Sequence, residues 1–142
     1  MKLYLLNALI TPYQSSDQST AAFLCRTINQ SEYINIFRQA VQDNRQIVSS
    51  LGHQSTIDYL KTIFPEDIRH WFTKNREPIF FEEGDLGLAF RITDRGAQMT
   101  EWTLDDIQTF YQQGKTEFVL ISRIFAPELV LDPANYFSAE EV

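Results

Sequence analysis

Apolar positions along the chain follow two periods, and their alternation sets the predicted elements. Leu3-Tyr4-Leu5-Leu6 is apolar at every position, so Lys2 to Leu9 reads as a buried strand with Asn7 as its one strongly polar member. Thr11 to Ser19 is polar and broken by Pro12, the pattern of a loop. Thr20 to Ile28 returns to small, apolar and β-branched residues and is expected to form a hairpin with the first strand. Tyr33, Ile36, Phe37, Ala40 and Val41 then recur at helical spacing, which predicts a helix over Ser31–Asp43 with Ser31 as its cap. Ile47, Val48 and Leu51 continue the apolar contacts as far as Gly52. A second helix is expected from Gln54 to Phe64, carried by Ile57, Leu60, Ile63 and Phe64 and stopped by Pro65.

Glu66 to Asn75 suggests one short helical turn, with Ile68, Trp71 and Phe72 packed inward. Pro78–Glu83 and Leu86–Thr93 read as a hairpin turning at Glu83-Gly84-Asp85. Thr103 is a clear N-cap, with Asp105 and Asp106 complementing the helix dipole. Leu104, Ile107, Phe110 and Tyr111 supply that helix's apolar face, and Gly114 closes it. Thr116 to Ile124 is the last strand. The expected architecture is a single α+β domain over residues 1–124, with a mixed, mostly antiparallel sheet of about five strands and helices packed on one face. Residues 125–142 form an acidic and apolar tail, expected to drape over the domain or a partner subunit.

Composition narrows the function. The chain of 142 residues fits one domain. Its net charge of −7 argues against binding long nucleic acid non-specifically. A small anion remains possible wherever a few of the 12 lysines and arginines converge. No apolar run approaches the roughly 20 residues of a membrane span. The single cysteine, Cys25, has no partner for an internal disulfide, sits in an apolar segment and is expected in the core. Cytoplasmic residence is the expectation that follows.

Metal-ligand clusters, phosphate loops and recognisable nucleophile triads are missing from the sequence, so no cofactor is expected. Glu82-Glu83 and Asp105-Asp106 are adjacent pairs whose side chains diverge, which suits solvation rather than acid–base work. His70 reads as a structural or surface histidine. Two features carry chemistry. Gly52-His53-Gln54-Ser55-Thr56 places an imidazole beside the free amides of a helix start, an arrangement that suits anions. An ordinary helix start with a surface histidine would look the same. Arg91 and Arg95, four apart on an extended chain, face one way and present forks suited to phosphate. Plain surface charge would look the same there too.

The order of these pieces resembles a known family. Asn7-Ala8, Gly52-His53-Gln54-Ser55-Thr56, Lys74-Asn75-Arg76, Arg91-Ile92-Thr93-Asp94-Arg95 and Thr103 through Gly114-Lys115 are similar to the viral type III anti-CRISPR ring nucleases and their bacterial relatives. The resemblance spans about Lys2 to Ile124. It implies a homodimer that binds cyclic tetra-adenylate, cuts it without metal and so silences the effector nucleases that the messenger activates. It implies that His53 and Arg95 are catalytic. It also implies that Asn7, Thr11, Ser55, Thr56, Arg91 and Gln98 bind ligand, with the loop from Thr11 to Ser19 closing over it. Two positions depart from the family: Arg91 stands where relatives usually carry an amide, and Gln98 where they carry a glutamate. Glu101 stands nearby as a substitute carboxylate.

The expected activity is cleavage of cyclic tetra-adenylate to linear diadenylates. A ribose 2′-hydroxyl attacks phosphorus, and His53 protonates the departing 5′-oxygen. Two other readings fit the same residues: a sponge that sequesters a cyclic nucleotide uncut, and a protein-interaction module that binds no nucleotide.

Overall fold

In a computed structural model, residues 1–7, 22–75, 79–93 and 102–124 are described below. They form a five-stranded mixed sheet with helices on one face. The elements run β1 (Lys2–Leu6), β2 (Ala22–Ile28), α1 (Gln30–Gln42), β3 (Gln46–Ser50), α2 (Gln54–Ile63), a 3₁₀ turn (Glu66–Trp71), β4 (Leu86–Ile92), α3 (Leu104–Gln112) and β5 (Thr116–Ile124). Across the sheet the order is β2-β5-β4-β1-β3. β1 is parallel to both β3 and β4, whereas β5 is antiparallel to both β4 and β2. The sheet is mixed, as the sequence suggested, with its longer ladders antiparallel.

Strand parity sorts the apolar residues into two layers. Leu3, Leu5, Leu88, Phe90 and Phe118 face the helices and meet Tyr33 and Phe37 of α1, Ile57 and Leu60 of α2 and Ile107 of α3. An aromatic triangle anchors this layer, with ring centroids 5.1 Å apart for Phe37–Phe64, 5.1 Å for Phe37–Phe72 and 4.8 Å for Phe64–Phe72. Burial of Tyr33 in this layer pushes its hydroxyl pKa up. The alternate residues Tyr4, Leu6, Ala89, Val119 and Ile121 face the other way and are covered by Ile79 and Phe81.

Helix boundaries follow local chemistry. Asn29, rather than Ser31, caps α1, and its side chain and that of Glu32 exchange hydrogen bonds with each other's backbone. Thr103 and Asp106 form the same box on α3. Gly114 takes φ +72°, which ends that helix at little steric cost. Phe64, ahead of Pro65, turns to ψ 150° and ends α2.

Three expectations fail for identifiable reasons. β2 does not hairpin with β1. β1 is buried on both sides and takes a place inside the sheet, whereas β2, exposed at Leu24 and Arg26, lies at the far edge against β5. Gln46–Ser50 is a strand in its own right, parallel to β1, although the chain between the helices had suggested only continued apolar contacts. The expected strand over Pro78–Glu83 is not one across its described residues, 79–83. Ile79 and Phe81 alternate as strand residues do, but side chains satisfy much of their backbone. The Tyr4 hydroxyl donates to the Phe80 carbonyl (2.7 Å), Arg123 donates to the Phe81 carbonyl (3.1 Å), and the Glu82 N–H donates to buried Asp85 (2.8 Å).

Phe81 lies over Gly87 of β4. A Cβ there would stand 3.0 Å from Phe81 Cζ and 3.1 Å from Leu6 Cδ1. Gly87→Val is therefore expected to destabilise the fold by about 1–3 kcal/mol through overpacking. Adding Phe81→Ala to Gly87→Val should recover part of that loss, since the two changes act on one contact. Thermal unfolding of the single and double variants checks both statements.

Candidate functional site

The parallel strands β1 and β3 end together, and β4 runs on to Ile92 in the same direction. Leu6 pairs with Ser50 on one side and Ala89 on the other, so Asn7 follows at the level of Leu51 and Phe90. In open α/β sheets, ligands bind outside these carboxyl ends. The chain leaves β3 through Leu51 and Gly52 and enters α2 at His53, which occupies the cap position with extended backbone (φ −122°, ψ 123°). The His53 carbonyl accepts from the Ile57 N–H at 3.2 Å, the first hydrogen bond of the helix. The N–H groups of Gln54, Ser55 and Thr56 precede that bond and have no partner within the helix.

His53 is exposed, and its side chain makes no capping hydrogen bond. The imidazole is thus left for other use at the positive end of a ten-residue helix. Ser55 is half-buried beside it. Thr56 is 5% exposed, so its hydroxyl is turned into the protein.

The turn carrying His53 is held from one side. Leu51 forms a parallel bridge with Lys74, and its carbonyl accepts from the Asn75 N–H (3.1 Å). Ser49 Oγ donates to the Thr73 carbonyl (2.5 Å) and accepts from the Leu51 N–H (3.4 Å). The motif Lys74-Asn75 therefore stands directly beside the histidine junction, a proximity that sequence order alone does not reveal.

Arg91 has a different setting from the one expected of a free phosphate ligand. It lies on the same strand face as Ala89, opposite the face that α2 covers. Register sets it directly across from Glu117, and its Nε and Nη2 donate to one carboxylate oxygen at 3.1 and 2.7 Å. Thr27 Oγ1 donates to the other oxygen at 2.8 Å. Partial burial pushes the Glu117 carboxyl upward, but the hydrogen bonds from Thr27 and Arg91 and the charge of Arg91 outweigh it, and the net direction is down. A phosphate contact by Arg91 has to compete with Glu117. Thr11, Arg95, Gln98 and Glu101 lie outside the described residues.

Cys25 is exposed on edge strand β2 rather than in the core. Neighbouring atoms that desolvate it push its thiol pKa up, with Glu117 adding to the effect and Arg91 opposing it. A separate groove of about 590 Å³ runs along edge strand β3, lined among others by Lys2, Gln46, Ser49, His70, Trp71 and Asn75. His70 and Trp71 pack with ring centroids 4.7 Å apart. His70 is exposed, the surface place that its sequence suggested, and lines this groove. The signal for the groove was the adjacent histidine and tryptophan in the connection after Pro65.

The Arg91–Glu117 pair yields a pH-dependent prediction. Glu117's folded pKa is depressed, so the pair's stabilisation is present above the ordinary glutamate range and is lost as pH falls through the folded value. Arg91→Gln should lower stability near neutrality by up to about 1 kcal/mol, given the pair's partial exposure. The difference from the unsubstituted protein should vanish under strongly acid conditions. Denaturant titrations at neutral and acid pH check it; a difference that persists in acid contradicts the assignment.

The comparisons with known proteins agree with this architecture. Among curated proteins nothing matches. Among solved structures, the chain is similar to B116 of Sulfolobus turreted icosahedral virus, with TM-score 0.60 and 22% identity over 86% of this chain and 99% of that one. Identity at that level speaks to the fold. The sequence profile of the STIV B116-like family matches residues 3–115, a span that takes in β1 through α3 and the whole histidine junction. The chain belongs to the STIV B116-like family.

Proposed function

We propose that this chain is a metal-independent ring nuclease that cleaves cyclic tetra-adenylate to linear diadenylates and so switches off type III CRISPR signalling. The observation that carries the reading is the unengaged imidazole of His53 beside the unpaired first-turn amides of α2, at the shared carboxyl end of the parallel strands β1 and β3. That site offers one proton donor and a ready-made cradle for a phosphodiester. Membership in a family named for a protein of an archaeal virus accords with a role in virus–host conflict.

The chemistry balances without a redox partner. The 2′-hydroxyl oxygen bonds to the adjacent phosphorus, and the bond to the 5′-oxygen breaks. The products carry a 2′,3′-cyclic phosphate at one end and a 5′-hydroxyl at the other. His53, as imidazolium, gives its proton to the leaving oxygen, a contribution of roughly 10²–10⁴ in rate. The 2′-hydroxyl proton passes to solvent or a nearby acceptor; Gln98, an amide, is a poor base for it. Arg95 stabilises the charge that develops on phosphate. The rest of the acceleration comes from holding hydroxyl, phosphorus and leaving oxygen in line. A two-fold dimer supplies one His53 to each of two opposite phosphodiesters of the ring.

The replacement of a carboxylate by Gln98 favours one second reading, a sponge that binds the ring and leaves it uncut. Incubation with cyclic tetra-adenylate in EDTA, followed by chromatography, separates the readings. Linear diadenylates are expected; intact ligand co-eluting with the protein indicates the sponge, and no association indicates an interaction module. His53→Ala should lower cleavage by at least about 10²-fold while affinity for the ring stays within a few-fold.

A further inference from the structure

The seam between β3 and residues 73–75 is more than a fold contact, because it ends two residues short of His53. Ser49 is 7% exposed and its hydroxyl is used twice: it donates to the Thr73 carbonyl and accepts from the Leu51 N–H. Leu51, fully buried, then accepts from the Asn75 N–H and bridges Lys74. Beyond Leu51 the path is Gly52, then His53. The His53 side chain has no capping bond of its own to fix it. The backbone sets the Cα–Cβ direction from which the ring swings, and that backbone is tied on one side to α2 through Ile57 and on the other to the seam through Leu51.

We infer that Ser49 is a positioning residue for His53: its hydroxyl fixes the angle at which the β3–α2 junction presents the imidazole. The inference rests on the reading of His53 as the reacting group. Proton donation to a leaving oxygen demands a reach near 3 Å and a narrow range of angles, and misplacement by about 1 Å costs on the order of 10²-fold. A residue four positions upstream that locks the turn acts on that step without touching substrate. Ser49→Ala removes the hydroxyl that sits between the Thr73 carbonyl and the Leu51 N–H, so the junction keeps the Asn75–Leu51 bond and the Leu51–Lys74 bridge on that side but loses its side-chain clamp.

The test uses the full chain in three forms: unsubstituted, Ser49→Ala and Ser49→Thr, the last restoring the hydroxyl on a residue that strands accept readily. In Ser49→Ala, kcat for cyclic tetra-adenylate should fall about tenfold, corresponding to about 1.4 kcal/mol of barrier, with KM within a few-fold. Ser49→Thr should regain most of the rate. The imidazole carbon–proton resonances of His53 give a reading that needs no activity. They should move or split in Ser49→Ala and return in Ser49→Thr, while amide signals of β1, β4 and β5 stay in place. An unchanged His53 signal, or a loss of kcat no greater than the loss of folded protein, overturns the inference. Should the unsubstituted protein fail to cut the ring, the proposed activity falls, and the His53 resonances still decide whether Ser49 orients the imidazole. If Ser49→Ala does not fold, Asn75→Pro removes the second tether's N–H from outside the sheet and must shift the same His53 resonances for the inference to stand.

Discussion

The burial of β1 on both faces is the constraint from which the rest of this fold follows. Leu3 and Leu5 point to one side and Tyr4 and Leu6 to the other, and none is more than 3% exposed. A strand of this kind cannot lie at an edge or leave a face in water. It needs a strand on each side, which β3 and β4 provide, and a cover above and below. The helices supply one cover. The other comes from Ile79 and Phe81, an irregular segment held by the Tyr4 hydroxyl, Arg123 and the buried Asp85. Gly87 gives the ring of Phe81 room to approach the sheet.

Parallel pairing around β1 has a consequence for the site. Three strands that run the same way finish at the same end, and the chain leaving β3 must start α2 there. The start falls on His53, a poorer N-cap than the asparagine or threonine that begins α1 or α3. A better cap would contribute about 1 kcal/mol more to the helix, and it would also occupy the first-turn amides. The structure leaves them open and stabilises the junction from the side instead, through Ser49, Leu51 and Asn75. Local stability is given up at one helix terminus, and the loss is offset by tertiary hydrogen bonds that leave the imidazole unengaged.

Arg91 shows the opposite case, a residue whose sequence setting suggested a ligand and whose neighbours give it structural work. Its strand position made it one of two forks facing one way. Only the pairing of β4 with β5 sets Glu117 across from it, and only β2 on the far side of β5 brings Thr27 to the same carboxylate. The three side chains form a cross-strand network on the face away from the helices. Cys25 lies near them, exposed on β2, the outermost strand among the described residues.

The sequence by itself determined the local elements, because their signals are local. Helical spacing located α1, α2 and α3; Pro65 and Gly114 stopped α2 and α3; Thr103 started α3; and β-branched and aromatic runs marked β2, β4 and β5 to within a few residues. Gly52-His53-Gln54-Ser55-Thr56 was legible as a helix start carrying an imidazole for the same reason. Strand order, direction and register were decided only by tertiary structure, because they depend on which faces must be buried together, and a single chain's pattern carries no partner for a strand. That is why the local pattern of β2 suggests a hairpin, that of β3 a mere connection, and that of Ile79–Phe81 a strand although its alternation serves packing on Gly87. It is also why the tie between Ser49 and Thr73, 24 residues apart, and the pairing of Arg91 with Glu117, 26 apart, have no trace in the sequence. Each is a contact between side chains or backbone that only the closed sheet brings within hydrogen-bonding distance.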